Sequence, residues 1–502
     1  MYQHDWAAKW ARYQPQKVAV KSYTGGATLT YDELNRLGNR LAHYFLNTLG
    51  LKQGERIAVL SETSLEYILL FVAAQKTGLI LVPLNYRLAN QEIDYLLTNA
   101  SPALVIAEEC FWVNMQACAT VRNIPHHWSM ETLAAYCDKN TTRPEDAADP
   151  AVAIVEDDPI FILYTSGTTG FPKGALYTHK MLFWNSINTS LSLLVNTESR
   201  TVNCMPPFHT GGWNVLTTPF LHHGGYSCLL KKFDPATVLK LLEEEQAKVF
   251  MGVPTMLKMM ADEPDFEKTD FSHLHYIIVG GEPMPIPLIE RWQAQGVPIR
   301  QGYGMTEVGP NLTSLHQDDA IRKKGSIGRP NFYVTTKIID ELGQEVPPNT
   351  GGELLLRGPM VTPGYWENPE ATAKAIVDGW FHTGDRVRED EEGYLYVEDR
   401  IKNMFISGGE NVYPAEIERV LLAHPSVAEA VVIGVPDTKW GEVGCAFVVQ
   451  QADQAIDTTQ LSDYCREHLA KFKVPKFFHF LAELPKNDTG KIDRKYLKGR
   501  LS

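Results

Sequence analysis

The chain has 502 residues, 44% of them hydrophobic and 21% charged, which is an ordinary composition for a globular protein and too long for one compact core. A formal net charge of −13 argues against a nucleic-acid partner and against strong attraction to anionic membranes. The seven cysteines form no CxxC pair, which favours a reduced, cytoplasmic location. No secretory signal and no integral membrane segment are expected, because no basic start precedes an apolar stretch and no apolar run is long enough.

Strands and helices alternate over the first 300 residues. An amphipathic helix follows the first predicted strand to residue 46, and Asp32 stands where its N-cap could lie. Further helices are predicted at 65–77 and after Asp234-Pro235. This alternation predicts α/β layers. The predicted strands are 28–30, 57–60, 80–84, 104–106, 160–163, 226–230, 249–251 and 276–279.

The pattern changes after about residue 325. Short apolar stretches alternate there with glycine and proline turns, which predicts a small antiparallel β subdomain over about 325–400. A new α+β pattern begins near Lys402, so we predict one large region over 1–400 and a separate domain over 401–502. In the second domain the predicted elements are helix 414–423, strands 427–433 and 443–450, and helix 459–470.

A loop rich in glycine, threonine and serine lies at 164–174, between two apolar stretches. Glycines let backbone N–H groups approach a ligand closely, and the hydroxyl groups and Lys173 add donors and positive charge. The Walker pattern is absent, because glycine follows Lys173 and no helix starts there. The composition predicts a polyphosphate site on a loop that joins two strands.

This loop resembles the signature of the adenylate-forming superfamily, which includes acyl-CoA synthetases, luciferases and peptide-synthetase adenylation domains. Four further motifs resemble those of the same family and occur in its order, so the resemblance covers nearly the whole chain. It implies a large N-terminal region of two α/β subdomains plus a small β-barrel, and a mobile C-terminal α+β domain. The four motifs are Gln301–Glu307, Trp380–Asp385, Asp399–Lys402 running on to Gly408–Pro414, and Pro485–Lys491.

The resemblance implies an ATP and Mg²⁺ site. Glu307 resembles the Mg²⁺ ligand and Thr306 an α-phosphate contact, Tyr303 the adenine-stacking residue, and Asp385 with Arg400 the ribose contacts. Lys491 would neutralise charge as the carboxylate attacks the α-phosphorus. The other residues expected at the nucleotide are Thr165, Ser166, Gly167, Thr168, Thr169, Gly170 and Lys173 at the phosphates, and Gly281, Glu282, Gly302, Gly304 and Met305 around the nucleoside.

The acyl and thiol sites are implied in the same way. His209 resembles the catalytic-site residue near the carboxylate and thiol entrance, and Lys402 resembles the hinge. No cation stands out in the acyl stretches, which favours an apolar acid. Lys471, Lys473 and Lys476 are close enough in sequence to help bind CoA phosphates. The implied acyl-pocket residues are Phe208, Trp213, Asn214 and Gly309, and the implied CoA-binding residues are Ser407, Gly408, Gly409, Glu410 and Trp440.

The sequence therefore predicts a carboxylate–CoA ligase that uses ATP, Mg²⁺ and coenzyme A. It forms an acyl-adenylate first and a CoA thioester second, with a medium- or long-chain fatty acid as the favoured substrate. An aryl-acid CoA ligase and an acyl-AMP ligase that loads a carrier protein remain alternatives. A non-catalytic ATP- or acyl-binding protein is a rival of another class, disfavoured by Glu307 and Lys491. The expected protein is cytoplasmic and compatible with a homodimer.

Overall fold

The computed structural model describes residues 4–165, 171–281, 284, 286–400, 405–412, 414–451, 456–485 and 492–501. Within these ranges it describes every side chain except those of residues 398–400, 411, 415, 419 and 495. Each element below is built from the described residues.

The first 178 residues supply a six-stranded sheet. Their elements are α1 (Trp6–Tyr13), β1 (Val18–Ser22), β2 (Thr28–Thr30), α2 (Tyr31–His43), β3 (Arg56–Leu60), α3 (Leu65–Thr77), β4 (Ile80–Pro83), α4 (Asn90–Ala100), β5 (Leu104–Ala107), α5 (Trp112–Ala117), β6 (His126–Ser129), α6 (Met130–Tyr136), β7 (Pro159–Thr165) and β8 (Lys173–Thr178). The strand order is β6-β5-β3-β4-β7-β8. Pairing is parallel except between β7 and β8, since helices connect the strands from β3 to β7.

The next part of the chain completes a nine-stranded sheet with β1 and β2. Its elements are α7 (His179–Leu193), β9 (Arg200–Asn203), α8 (Thr217–His223), β10 (Tyr226–Leu229), α9 (Pro235–Glu244), β11 (Val249–Gly252), α10 (Pro254–Ala261), β12 (Tyr276–Val279), α11 (Ile286–Ala294), β13 (Ile299–Met305), β14 (Gly309–Ser314) and β15 (Arg329–Pro330). The order is β15-β14-β13-β12-β11-β9-β10-β1-β2, and the central pairs are parallel. Two layers of α/β structure therefore precede residue 325, as predicted.

An antiparallel sheet follows. It contains β16 (Thr335–Ile339), β17 (Gly351–Arg357), β18 (Ile376–Val377), β19 (Trp380–Glu389) and β20 (Leu395–Arg400), with α12 (Pro369–Ala375) before β18. The strands pair in the order β16-β17-β19-β18, and β20 pairs with β19. Their buried aliphatic side chains form a separate core. The predicted antiparallel β subdomain is confirmed.

The C-terminal domain is a small α+β unit. It contains β21 (Phe405–Ser407), β22 (Glu410–Val412), α13 (Pro414–Ala423), β23 (Val427–Asp437), β24 (Gly441–Gln450), α14 (Thr458–His468), β25 (Phe477–Phe480) and α15 (Arg494–Gly499). The sheet order is β22-β21-β24-β23, and β25 lies parallel to β24. The predicted elements of this domain are all present, and the strands extend beyond their predicted bounds.

Helix boundaries show where local sequence determines structure. Asp234 caps α9 as predicted, since its carboxylate accepts a hydrogen bond from the N–H of Thr237. The predicted cap of α2 is wrong, because Thr30 is the N-cap and Asp32 lies in the first turn. Thr30 and Glu33 form a reciprocal capping box, which satisfies two backbone donors where Asp32 would satisfy one.

The predicted fold class is confirmed: a large N-terminal α/β region precedes a small C-terminal domain. None of the helices in the described part of the chain combines the length and apolar composition needed to cross a bilayer.

Candidate active site

Two of the predicted ATP-site residues, Thr165 and Glu307, meet where β7 ends. The Thr165 hydroxyl group donates a hydrogen bond to Oε1 of Glu307 over 3.2 Å. Tyr365 donates to the same oxygen over 3.0 Å, and the Lys173 ammonium lies 5.4 Å from the centre of the Tyr365 ring. Glu307 is 9% exposed. The carboxylate is thus fixed in orientation beside a lysine and a hydroxyl group that are distant in sequence.

The donor set fits Mg²⁺ that arrives with a nucleotide. No group of three or more histidine, cysteine, aspartate or glutamate side chains among the described residues is placed to hold a metal ion. Mg²⁺ commonly binds through one or two carboxylates together with substrate phosphates and water. Glu307 supplies one such carboxylate, and it follows Thr306 in a short 3₁₀ turn directly after β13.

The nucleoside side of the site contains a short hydrogen bond between Tyr303 and Asp385. The Tyr303 hydroxyl group donates to Oδ2 of Asp385 over 2.6 Å. Asp385 is 2% exposed and lies on β19, where its partner on β20 is Arg400. Its own N–H bonds to the Thr383 hydroxyl group. Two predicted nucleoside contacts from different sheets therefore meet at one buried carboxylate.

Two positions on β13 and β14 require glycine, because a side chain there would clash with or strain the backbone. A Cβ atom on Gly304 would lie 2.2 Å from the carbonyl oxygen of Pro310, since β13 and β14 approach closely there. Gly309 has φ of 76°, and a Cβ atom would lie 3.0 Å from Oδ1 of Asn185. Met305 and Gly302 belong to the same β13–β14 pair. Gly281 also has positive φ and follows β12 directly.

Polar side chains surround Gly309 where an apolar pocket was expected. Asn185 donates to the carbonyl oxygen of Asn214 over 2.6 Å, and Asn311 donates to the Thr189 hydroxyl group and to the same carbonyl. All four side chains are buried. Asn214, a predicted pocket residue, bonds in turn to Thr210 and Thr218 through its own side chain. Of this amide cluster, Asn185, Thr189, Asn214 and Asn311, the sequence indicated Asn214 alone.

Trp213 lies in the core of the first layer. Its indole N–H donates to the carbonyl oxygen of Pro207 over 2.7 Å, and its ring packs on Phe71 and Phe161 at 5.5 and 5.4 Å. These contacts bury it to 2% exposure. A role in an acyl pocket stays a prediction for Trp213.

The predicted thiol entrance is a meeting point of the two domains. Nε2 of His209 lies 2.8 Å from Oε2 of Glu410, and Arg87 pairs with Oε1 of the same carboxylate. Burial alone would raise the pKa of Glu410, but His209 and Arg87 outweigh it and hold that pKa below its ordinary value. Phe208 packs edge-on against Tyr86 beside them. Arg87 was missed, because nothing around it in sequence singles it out.

The glycine pair of the C-terminal domain lies next to this cluster. Gly408 and Gly409 have φ of 58° and 81°, and a Cβ atom on Gly409 would lie 4.0 Å from Val253 of the N-terminal region. The ring of Trp440 covers Gly408, where a Cβ atom would meet it at 2.6 Å. Ser407 precedes the pair and is buried. Of the predicted CoA-binding residues, Gly409 and Glu410 thus face the N-terminal region, while Trp440 covers Gly408 within the C-terminal domain.

The lysines that follow α14 differ in their surroundings. Lys473 is buried between two glutamates, Glu92 and Glu416, at 2.8 and 2.6 Å. Burial raises the pKa of Glu416 to about 7, against the lowering effect of Lys473. Lys476 pairs with Asp437, and Lys471 is exposed. The predicted phosphate role is wrong for Lys473, because its ammonium is already enclosed by carboxylates.

Several predicted site residues lie outside the described residues. They are Ser166, Gly167, Thr168, Thr169, Gly170, Glu282, Lys402 and Lys491. Arg400 is described in its backbone only. Their roles stay predictions.

Comparison with known proteins places this geometry in a family. The profile of the AMP-binding enzymes matches residues 7–366, and that of their C-terminal domain matches 416–491. A feruloyl-CoA synthase of Amycolatopsis sp is 38% identical, with 99% of this chain and 98% of the relative covered. A long-chain-fatty-acid–CoA ligase of Mycobacterium tuberculosis is 36% identical, with 98% and 97% covered.

A solved relative matches in two forms. A double mutant of o-succinylbenzoate CoA synthetase from Bacillus subtilis, bound with the product analogue OSB-NCoA, is 31% identical with a TM-score of 0.89, covering 99% of both chains. The same enzyme in complex with AMP has a TM-score of 0.73, covering 99% of this chain and 98% of that one.

The chain belongs to the adenylate-forming superfamily. Within it, the protein is one of the acyl- and aryl-CoA synthetases, an AMP-forming acid–thiol ligase that uses ATP, Mg²⁺ and CoA.

Proposed function

We propose that the acid is an aromatic carboxylic acid, which the enzyme converts to an acyl-adenylate and then to its CoA thioester. The buried amide cluster beside Gly309 carries this proposal. The amides pair with hydroxyl groups and with backbone carbonyls, so the cluster is rigid and polar, which suits a flat aromatic ring better than a flexible apolar chain. The sequence favoured a fatty acid because no cation stood out in these stretches. The neutral amides of the cluster make this part of the site polar without adding a charge, which is why the absence of a cation does not require an apolar acid.

Aromatic side chains on and beside the helix that carries Asn185 also support this assignment. Trp184, one helical turn before Asn188 on α7, packs edge-on against Tyr333 at 4.8 Å. Asn188 is buried and accepts the N–H of Tyr333. Aromatic rings pack favourably edge-to-face. The feruloyl and o-succinylbenzoate relatives act on aromatic acids, in keeping with this assignment.

In the first half-reaction, the residues of the site bind ATP and orient it toward the carboxylate. Glu307, oriented by Thr165 and Tyr365, is the carboxylate that would bind Mg²⁺, which would neutralise charge on the ATP phosphates. Asp385 accepts the ribose hydroxyl groups, with Tyr303 fixing its orientation. We assign the remaining neutralisation of the ATP phosphates to Lys491 and to the loop at 164–174. Catalysis then comes mainly from positioning and electrostatic stabilisation.

The second half-reaction uses the domain arrangement of this structure. Gly408 and Gly409 lie beside His209, where a narrow thiol arm could approach the acyl carbon. The higher TM-score to the product-analogue complex than to the AMP complex of the same enzyme supports this assignment. Adenylation would use another arrangement, reached by a pivot at Lys402 between a region over 1–400 and a domain over 401–502.

A fatty acid is the second candidate, because the long-chain-fatty-acid–CoA ligase matches almost the whole chain. The rate of pyrophosphate release decides between an aromatic and a fatty acid substrate. It is measured, with and without CoA, for ferulate, indoleacetate, o-succinylbenzoate, octanoate and palmitate. Aryl acids should give the higher kcat/KM, and Asn185→Leu should lower it for ferulate more than for octanoate. Faster turnover of octanoate or palmitate than of every aryl acid would reject the aromatic assignment.

A further inference from the structure

Glu92 of the N-terminal region makes two hydrogen bonds to the C-terminal domain. Its Oε1 accepts from the Lys473 ammonium over 2.8 Å, and its Oε2 accepts from the backbone N–H of Ala470 over 2.9 Å. Glu92 lies in the first turn of α4, and both donors follow α14. The carboxylate therefore joins a helix of one domain to a loop of the other.

The lysine in this contact is deeply buried. Lys473 is 5% exposed and is shared between Glu92 and Glu416, whose Oε1 lies 2.6 Å from the ammonium. Removing charged groups from water is costly unless they are paired with good geometry. Moving the domains apart would take Glu92 away from Lys473 and leave only Glu416 as its partner. The contact therefore stabilises the arrangement of the two domains in this structure relative to one in which they have separated.

A second contact between the two domains involves a residue only a few positions before Glu92 in the sequence. Arg87, between β4 and α4, pairs with Glu410 next to the glycine pair. The segment 87–92 thus holds the C-terminal domain at two places, Glu410 beside the glycine pair and the segment 470–473 after α14. Glu92 bonds to Lys473, whose ammonium is enclosed by carboxylates, and to the backbone of Ala470, so its effect on chemistry is indirect.

We propose that Glu92 is a positioning residue for the thioester-forming half-reaction, which it supports by holding Lys473 and Ala470 while the Gly408–Gly409 loop faces His209. This inference rests on the proposed function, because it assigns the contact to one of the two half-reactions. The three residues Glu92, Lys473 and Glu416 form the interdomain latch.

Glu92 has a second role as a helix cap, and the chain contains a matched control residue for that role. Glu92 also accepts the N–H of Ala89 over 2.9 Å and so caps its own helix. Glu33 does the same for Thr30 at the start of α2, over 2.8 Å, and its ion pair is with Lys139 of the same region. Glu33→Ala therefore removes a capping carboxylate without touching the C-terminal domain.

The first test times each half-reaction separately. Glu92→Ala should slow CoA consumption from synthetic feruloyl-adenylate about tenfold to hundredfold, the range expected for lost charge-assisted hydrogen bonds. Pyrophosphate release with ferulate and ATP should stay within about twofold of wild type, since the latch holds only one arrangement. Lys473→Arg keeps the charge and should retain more of the second half-reaction than Lys473→Met. Equal loss in both half-reactions, or equal behaviour of Glu92→Ala and Glu33→Ala, would overturn the proposal.

The second test needs no activity. In hydrogen–deuterium exchange of the full chain, Glu92→Ala should speed exchange at Ala470 and also across 405–412, which loses its docked position. Glu33→Ala should change neither segment. Faster exchange at Ala470 alone would show a local bond with no positioning role and overturn the proposal. If wild type forms no adenylate with any acid, the proposed function fails, while the exchange result still decides whether the latch positions the domain.

Discussion

Glu410 of the C-terminal domain lies 2.8 Å from His209 of the N-terminal region, although 201 residues separate them in sequence. The contact brings a predicted CoA-binding residue to the predicted thiol entrance. It exists only while the two domains are arranged as in this structure, so its removal should affect one half-reaction more than the other.

Glu410→Gln should slow thioester formation while leaving adenylate formation near the wild-type rate. The substitution removes the charge that pairs with Arg87 and His209; both partners are half-exposed, so each bond should contribute near the lower end of about 1.5–3 kcal/mol. CoA consumption from synthetic acyl-adenylate measures the effect. Arg322→Met, which removes exposed ion pairs elsewhere, is the control. A Glu410→Gln enzyme with an unchanged second half-reaction would contradict the assignment of this contact.

Asp385→Ala should weaken ATP binding about tenfold or more, whatever acid is supplied. A carboxylate that accepts both ribose hydroxyl groups makes charge-assisted bonds, and alanine removes them all. Tyr303→Phe removes only the hydroxyl group that orients Asp385 and should weaken binding less. Isothermal titration of each variant with ATP, and separately with the acid, checks this. Unchanged ATP affinity in Asp385→Ala would exclude the residue from the nucleotide site.

Gly304→Ala should destabilise the protein by about 1–3 kcal/mol, because the new methyl group would meet the Pro310 carbonyl oxygen and the backbone must move. Gly280→Ala is the comparison, since its Cβ atom would lie at an ordinary 3.7 Å from the nearest atom. Urea unfolding followed by tryptophan fluorescence measures both. Equal midpoints for the two variants would show that β13 and β14 can separate at little cost.

Stability should decrease as the pH falls from about 6.5 toward 3. Burial, followed by the neighbouring His4 and His223 respectively, lowers the pKa of His179 and of His222 to about 3. The unfolded chain therefore binds more protons over this window, and each histidine adds a slope of about 1.4 kcal/mol per pH unit. Above pH 6.5 both states are neutral and the contribution is constant.

Replacing one of these histidines isolates the effect. His222→Phe keeps a ring on Trp6, where the histidine stacks at 4.3 Å, and should reduce the slope between pH 5 and 6.5. Urea midpoints at a series of pH values give the comparison. Parallel pH profiles for wild type and variant would mean that His222 titrates alike in both states.

The residues that the sequence assigns to one site, and that the fold brings together, lie within contiguous motifs. Glu307 and Tyr303 stand in one seven-residue stretch, and Tyr303 hydrogen-bonds to Asp385 of another motif. Tyr365 and Arg87 could not be found this way, because each acts through a contact with a residue more than 50 positions away. Their neighbours in sequence carry no pattern that indicates such contacts.

Other expectations failed where tertiary structure changes the environment of a residue. Lys473 was expected to help bind CoA phosphates because of its place in the sequence, yet domain packing encloses it between two carboxylates. The amides of Asn185 and Asn311 have no periodicity that separates them from ordinary helix and strand residues. Burial of a polar side chain depends on elements far away in the chain, so composition alone does not show it.

The spacing of Arg87 and Glu92 has a mechanical consequence. Two separate points of attachment define an axis, and a body held at both can still rotate about the line that joins them. The bonds at Glu410 and Lys473 therefore resist separation of the two domains more than they resist rotation about that line.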